Sequence, residues 1–179
     1  MIKVSDIAKE KAVTQKTGVF RPEVHILYAL YLINNRNPEG LDIMGEYIEI
    51  FRDIKHNPTP EKLKSIENIS ALQLEEAYMQ YAHGLLIMRN DIDNADVALQ
   101  EAKKFRMAPP NFEVLVYDII FDILKNRVAA AKIGYQKIKS MRTNQESDMQ
   151  KGIFTINKLV TQVCEAKKLS VPACQNLPF

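Results

Sequence analysis

Glycine is scarce in this chain, with six in 179 residues, and tryptophan is absent. The usual share of glycine is about 7%, so the shortage argues against phosphate-binding loops, dinucleotide fingerprints and a turn-rich β-sandwich. Two cysteines are too few for a disulfide framework, and the chain has three histidines. A chain of this length buries a core without such staples. The longest apolar run, Val24 to Ile33, falls well short of the ~18 residues of a membrane span. Direct membrane insertion is therefore not expected. Met1 to Glu10 carries charge and no apolar stretch of the kind a secretory signal requires.

Charge of one sign is also lacking overall: 24 Lys+Arg face 22 Asp+Glu. The balance is a cancellation. Residues 40–101 hold 12 acidic and 5 basic side chains, whereas 125–168 hold 3 acidic and 10 basic. Such asymmetry either orients a charged partner or reflects two solvated helical surfaces of opposite sign.

What is present is helical spacing. Residues 1–20 have no sustained period and read as a polar arm or short helix. Pro22 suits a first helical turn, and Val24, Leu27, Tyr28 and Tyr31 form a stripe at i, i+3, i+4, i+7. Asn34 to Gly40 ends that helix, and Leu41, Met44, Tyr47, Ile48, Phe51 and Ile54 mark a second. Thr59-Pro60 starts a short helix as N-cap and N1. Ser70 with Gln73 forms a capping box opening a helix to about Arg89. Further helices are expected to Arg106 and over 112–125, 128–142 and 147–169, with Asn111 as an N-cap. Short connections favour antiparallel hairpins. The expectation is an all-α domain over 21–169, followed by a tail, 170–179.

Displacing the chain by 36 residues aligns 81–106 with 117–142 without a gap. Tyr81 meets Tyr117, Ile87 meets Ile123, Asn90 meets Asn126 and Ala95 meets Ala131; Gln100, Lys103 and Arg106 meet Gln136, Lys139 and Arg142. A helix-turn-helix unit recurring at this period marks an α-solenoid. In the second helices a small residue is followed four and seven residues later by packing residues: Ala95, Leu99, Ala102 and Ala131, Tyr135, Ile138. Pro109-Pro110 follows the first copy.

On these residues the unit resembles the tetratricopeptide repeat family, in two degenerate copies over 76–106 and 112–142. The period is 36 rather than the family's ~34. His83 and Ile119 stand where the family has a small residue, and Thr143 replaces a proline. The resemblance implies a short right-handed α-solenoid of stacked hairpins, closed by a capping helix at 147–169. It also implies a concave groove lined by the first helices, with Gln80, His83, Asp118, Asp122 and Lys125 as candidate contacts. Tyr81 and Tyr117 read as core. The occupant would be a peptide or partner helix of another protein, and the role that of an adaptor, chaperone or assembly factor.

No pattern points to catalysis, a cofactor or a metal. His25, His56 and His83 lie far apart, without zinc spacing. Asp91 to Asp96 lacks the glycine and glutamate of a calcium loop; acids there suit capping and the helix dipole. Glu75-Glu76 reads as first-turn acidity. Cys164 and Cys174 are spaced so that a disulfide could pin the tail, worth roughly 2–4 kcal/mol. The chain would be cytoplasmic with reduced thiols if Met1 is the native start. A fragment with that disulfide would be periplasmic or exported, the soluble tail of a bacterial envelope protein. A third reading is a nucleic-acid-binding or regulatory protein using the lysines from Lys132 to Lys168, although these spread over two or more helices.

Overall fold

The computed structural model describes residues 22–105, 112–140 and 146–168. The N-terminal arm, Asn111, the 143 position and the tail therefore lie outside the described residues. Among these, eight α-helices and one π-turn make up the regular structure. They are α1 (Pro22–Asn34), α2 (Glu39–His56), α3 (Pro60–Ser65), α4 (Ala71–Gly84), the π-turn Leu85–Arg89, α5 (Ile92–Lys104), α6 (Phe112–Leu124), α7 (Val128–Ser140) and α8 (Glu146–Lys167). The fold is all-α.

The helix starts follow local chemistry. Thr59 accepts the Lys62 amide at 3.3 Å with Pro60 beginning α3. At α4 the Ser70 amide donates to Gln73 Oε1 at 2.8 Å, while the Gln73 amide donates to Ser70 Oγ at 3.2 Å. That is the reciprocal capping box. Asp91 Oδ1 accepts the Asn94 amide ahead of α5.

Helix ends use left-handed residues other than glycine: Arg36, Asn90, Asn126 and Lys168 all have φ between 50° and 58°. At α1 the Asn37 amide donates to Leu32 O and the Arg36 amide to Ile33 O. At α6 the Arg127 amide donates to Asp122 O and the Asn126 amide to Ile123 O. Both are Schellman closures. Asn90, one repeat period before Asn126, has the same backbone sign but follows a π-turn, so the Asp91 amide reaches one residue further back, to Leu85 O. The helix expected to run unbroken to Arg89 is thus α-helical only to Gly84.

The chain forms two compact units, residues 1–84 with 101–106 and residues 85–100 with 107–179. In the first, α1 packs antiparallel on α2, and α4 packs against both. Its core holds Ile26, Ala29, Ile33, Leu41, Met44, Ile48 and Tyr78. In the second, α6 packs against α7 and α8, and the π-turn lies against α8. The expected hairpin over 112–142 is present as α6–α7, whereas the segment 76–106 is divided between the units. Ala95, Leu99, Ala102 and Ala131 are fully buried, Ile138 nearly so.

Gly40 sets the α1–α2 approach. A Cβ there would lie 2.8 Å from both Ala29 O and Ile33 N, and 2.7 Å from Leu32 Cβ. Backbone atoms cannot yield as a side-chain tip can. Gly40→Ala is therefore expected to destabilise by about 1–3 kcal/mol through overpacking, more than offsetting the ~1 kcal/mol of helix propensity that alanine adds. Gly45→Ala meets only the Tyr81 side chain, whose hydroxyl tip is nearest at 3.2 Å, and should be neutral or mildly stabilising. Urea unfolding of the two variants checks this; equal stability of Gly40→Ala and wild type would contradict the close approach.

Candidate functional site

The five residues expected to share a groove fall into different environments. Gln80 and His83 are half-buried on α4, in the first unit. Burial, with the nearby Arg36 charge, pushes the His83 imidazole below its ordinary pKa. Asp118, Asp122 and Lys125 lie in the second unit, half-buried along α6 and its C-terminal turn.

Asp122 and Lys125 are drawn into an internal ion-pair network centred on Asp96 of α5. Lys125 Nζ lies 2.7 Å from Asp96 Oδ2 and 3.2 Å from Asp93 Oδ1. Arg127 Nε donates to Asp122 Oδ1 at 2.7 Å, and its Nη2 lies 3.5 Å from Asp96 Oδ2. Gln100 donates to Asp96 Oδ1 at 3.1 Å. Asp96 is buried, so its charge depends on these partners. The Schellman closure at Asn126 is what brings Lys125 and Arg127 to the start of α5.

The acidic run Asp91 to Asp96 is likewise engaged: Asp91 Oδ2 accepts Asn94 Nδ2 at 2.7 Å, and Asp96, within α5, faces Lys125. Glu75, read as first-turn acidity, is instead buried. Tyr117 is buried in the core, whereas Tyr81 is only half-buried, with its hydroxyl near Gly45. Among the described residues no helix is long and apolar enough to cross a membrane.

The first unit contains a trough of about 520 Å³. Its floor is Phe51, Ile54 and Tyr78; its walls are Ile66, Leu74 and Phe105. Tyr78 and Phe105 stack with centroids 5.6 Å apart and an interplanar angle of 20°. The short helix α3 supplies the outer edge with Leu63, which is 50% exposed. Lys62 fixes that helix by an ion pair to Asp53 of α2 at 2.6 Å. Arg52, Lys55 and Lys104 line the rim with one carboxylate, Glu101. Such a volume lies within the roughly 300–1,000 Å³ of ligand-binding clefts, and the mixture of apolar walls and few polar groups is typical of them.

None of these trough residues was singled out by sequence as a binding residue. The signal available was Leu63 with Ile66, an apolar pair on and just after a helix too short to bury itself. Comparison with protein-family models, curated proteins and solved structures returns no match.

The lysines of the C-terminal third, Lys132, Lys137, Lys139, Lys151, Lys158, Lys167 and Lys168, are exposed. Lys139 lies over the Tyr135 ring at 4.7 Å. Cys164 is buried on α8 and is not a free thiol; Cys174 lies outside the described residues.

Two predictions follow from this chemistry. Burial raises the Asp96 carboxyl, but hydrogen bonds from Lys125 and Gln100 and the charges of Lys125 and Arg127 outweigh it, so the net shift is downward. Its stabilising contribution is complete above the ordinary Asp value near pH ~4 and is lost as pH falls through the lower native value. For Asp122 burial dominates, Arg127 opposes it, and Asp118 and Asp96 add to it; the net shift is upward. Its contribution has the opposite sign, favouring folding at low pH and fading as pH rises through the native value. Carboxyl ¹³C NMR should therefore show Asp122 protonating before Asp96 on acidification; coincident midpoints would contradict the network. For the cysteines, denatured protein prepared without reductant should take up no alkylating label until reduced. Labelling of both thiols before reduction would remove the disulfide.

Proposed function

We propose that this chain is a non-enzymatic protein-interaction module, with tetratricopeptide-like hairpins as its scaffold and the trough of the first unit as the peptide-binding surface. The observation that carries the reading is the trough itself: stacked aromatics and aliphatic walls left open beside an exposed Leu63. Helical scaffolds recognise peptides by seating apolar anchors in such grooves. The small-residue positions Ala95, Ala102 and Ala131, all fully buried, support hairpin packing of the repeat kind. A short right-handed stacking closed by α8 is the arrangement this scaffold would adopt. Adaptor, chaperone or assembly roles are compatible with it, because exposed side chains rather than the fold choose the ligand.

The sequence-derived contacts take a different place in this proposal. Gln80 and His83 belong to the same unit as the trough without lining it, while Asp122 and Lys125 are engaged in the Asp96 network. The binding residues proposed are thus Tyr78, Phe105, Ile66 and Leu63.

The test is selection from a displayed random-peptide library against the full chain, followed by amide chemical-shift mapping of the selected peptide. Shifts should concentrate at Ile54, Leu63, Ile66, Tyr78 and Phe105, and Leu63→Asp should weaken binding by about tenfold or more, equivalent to ~1.4 kcal/mol. Selection of no peptide, or perturbations confined to the second unit, would defeat the reading.

A further inference from the structure

We infer that the trough selects acidic peptides: a bulky apolar side chain seats on Tyr78 and Phe105 while flanking Asp or Glu side chains meet Arg52, Lys55 and Lys104. This rests on the peptide-binding role proposed above and adds the sign of the partner's charge.

Charge complementarity carries the argument. The trough is lined by three cations and one carboxylate, Glu101, and that carboxylate already pairs with Lys104. Arg52 lies 2.5 Å from Glu49, a surface pair across one helical turn, and exposed pairs of this kind are worth at most about 1 kcal/mol. Such a pair exchanges readily for a better-placed carboxylate. Lys55 is exposed and joins no ion pair among the described residues. The carbonyls at the end of α2 add a negative partial charge of roughly 0.5, less than the excess of full positive charges. Residues 40–101 as a whole are acidic, so this basic rim is a local reversal. At physiological salt the Debye length is about 8 Å; the rim cations, not the distant acids, dominate what a docked peptide meets.

The experiment uses the full chain and three fluorescent synthetic peptides sharing one Phe-Leu anchor, flanked by Asp/Glu, by Ser/Gly, or by Lys. The acidic peptide should bind about tenfold more tightly than the lysine peptide. That preference should collapse near 1 M salt, where the Debye length is ~3 Å. Lys55→Glu, at an exposed position, should invert or erase the preference without changing the thermal unfolding midpoint. Leu63→Asp should weaken all three peptides. Equal binding of the acidic and lysine peptides would overturn the acidic selectivity while leaving the trough as a peptide site. Binding of none of the anchored peptides would overturn the trough reading and this inference with it. An acidic preference that survives Lys55→Glu and Leu63→Asp unchanged would place the selectivity elsewhere and also overturn it.

Discussion

Close approach of helices at glycine is the constraint from which the remaining packing follows. Gly40 lets α2 lie against the backbone of α1. Gly134 lies where a Cβ would be 2.8 Å from Ile119 Cγ1, and Gly152 where one would be 2.5 Å from Phe112 Cζ. The chain has little glycine, and Gly40, Gly134 and Gly152 stand at helix contacts, while left-handed helix ends are built on Arg36, Asn90, Asn126 and Lys168. At the Ile119–Gly134 contact a large side chain on α6 faces a glycine on α7; close packing depends on the sum of the two volumes.

The two units differ in what their polar groups do. In the second, the turn at Asn126 delivers Lys125 and Arg127 to the buried Asp96, and the charges at that helix junction are matched internally. Charges so arranged contribute structure and are poor candidates for recognition. In the first, Arg52, Lys55 and Lys104 stand around an apolar trough with a single carboxylate among them. Of these cations Arg52 pairs with Glu49 and Lys104 with Glu101, while Lys55 joins no ion pair among the described residues.

Much of this was legible in the sequence, because caps and stripes are local. Thr59-Pro60, Ser70 with Gln73, and Asp91 ahead of α5 act where they stand in the chain. Asn90 and Asn126, aligned by the 36-residue displacement, share a left-handed backbone. Three features were not legible. A π-turn leaves no separate mark in the periodicity of residues 71–89, because one extra residue per turn only rotates the stripe. The engagement of Lys125 depends on Asp96 and Asp93, from another helix, and spacing within one helix cannot show it. The trough is built from α2, a six-residue α3, α4 and the end of α5, none of which is a site alone.

The packing account is tested most directly by a double-mutant cycle at Ile119 and Gly134. Ile119→Ala alone opens a cavity, and Gly134→Ala alone forces a methyl against a fully buried side chain. If the two positions share one volume, the double variant will be more stable than the sum of the single changes predicts, with a coupling of about 1–2 kcal/mol. Additivity within ~0.5 kcal/mol would show that they pack independently, and would contradict a shared volume at the α6–α7 contact.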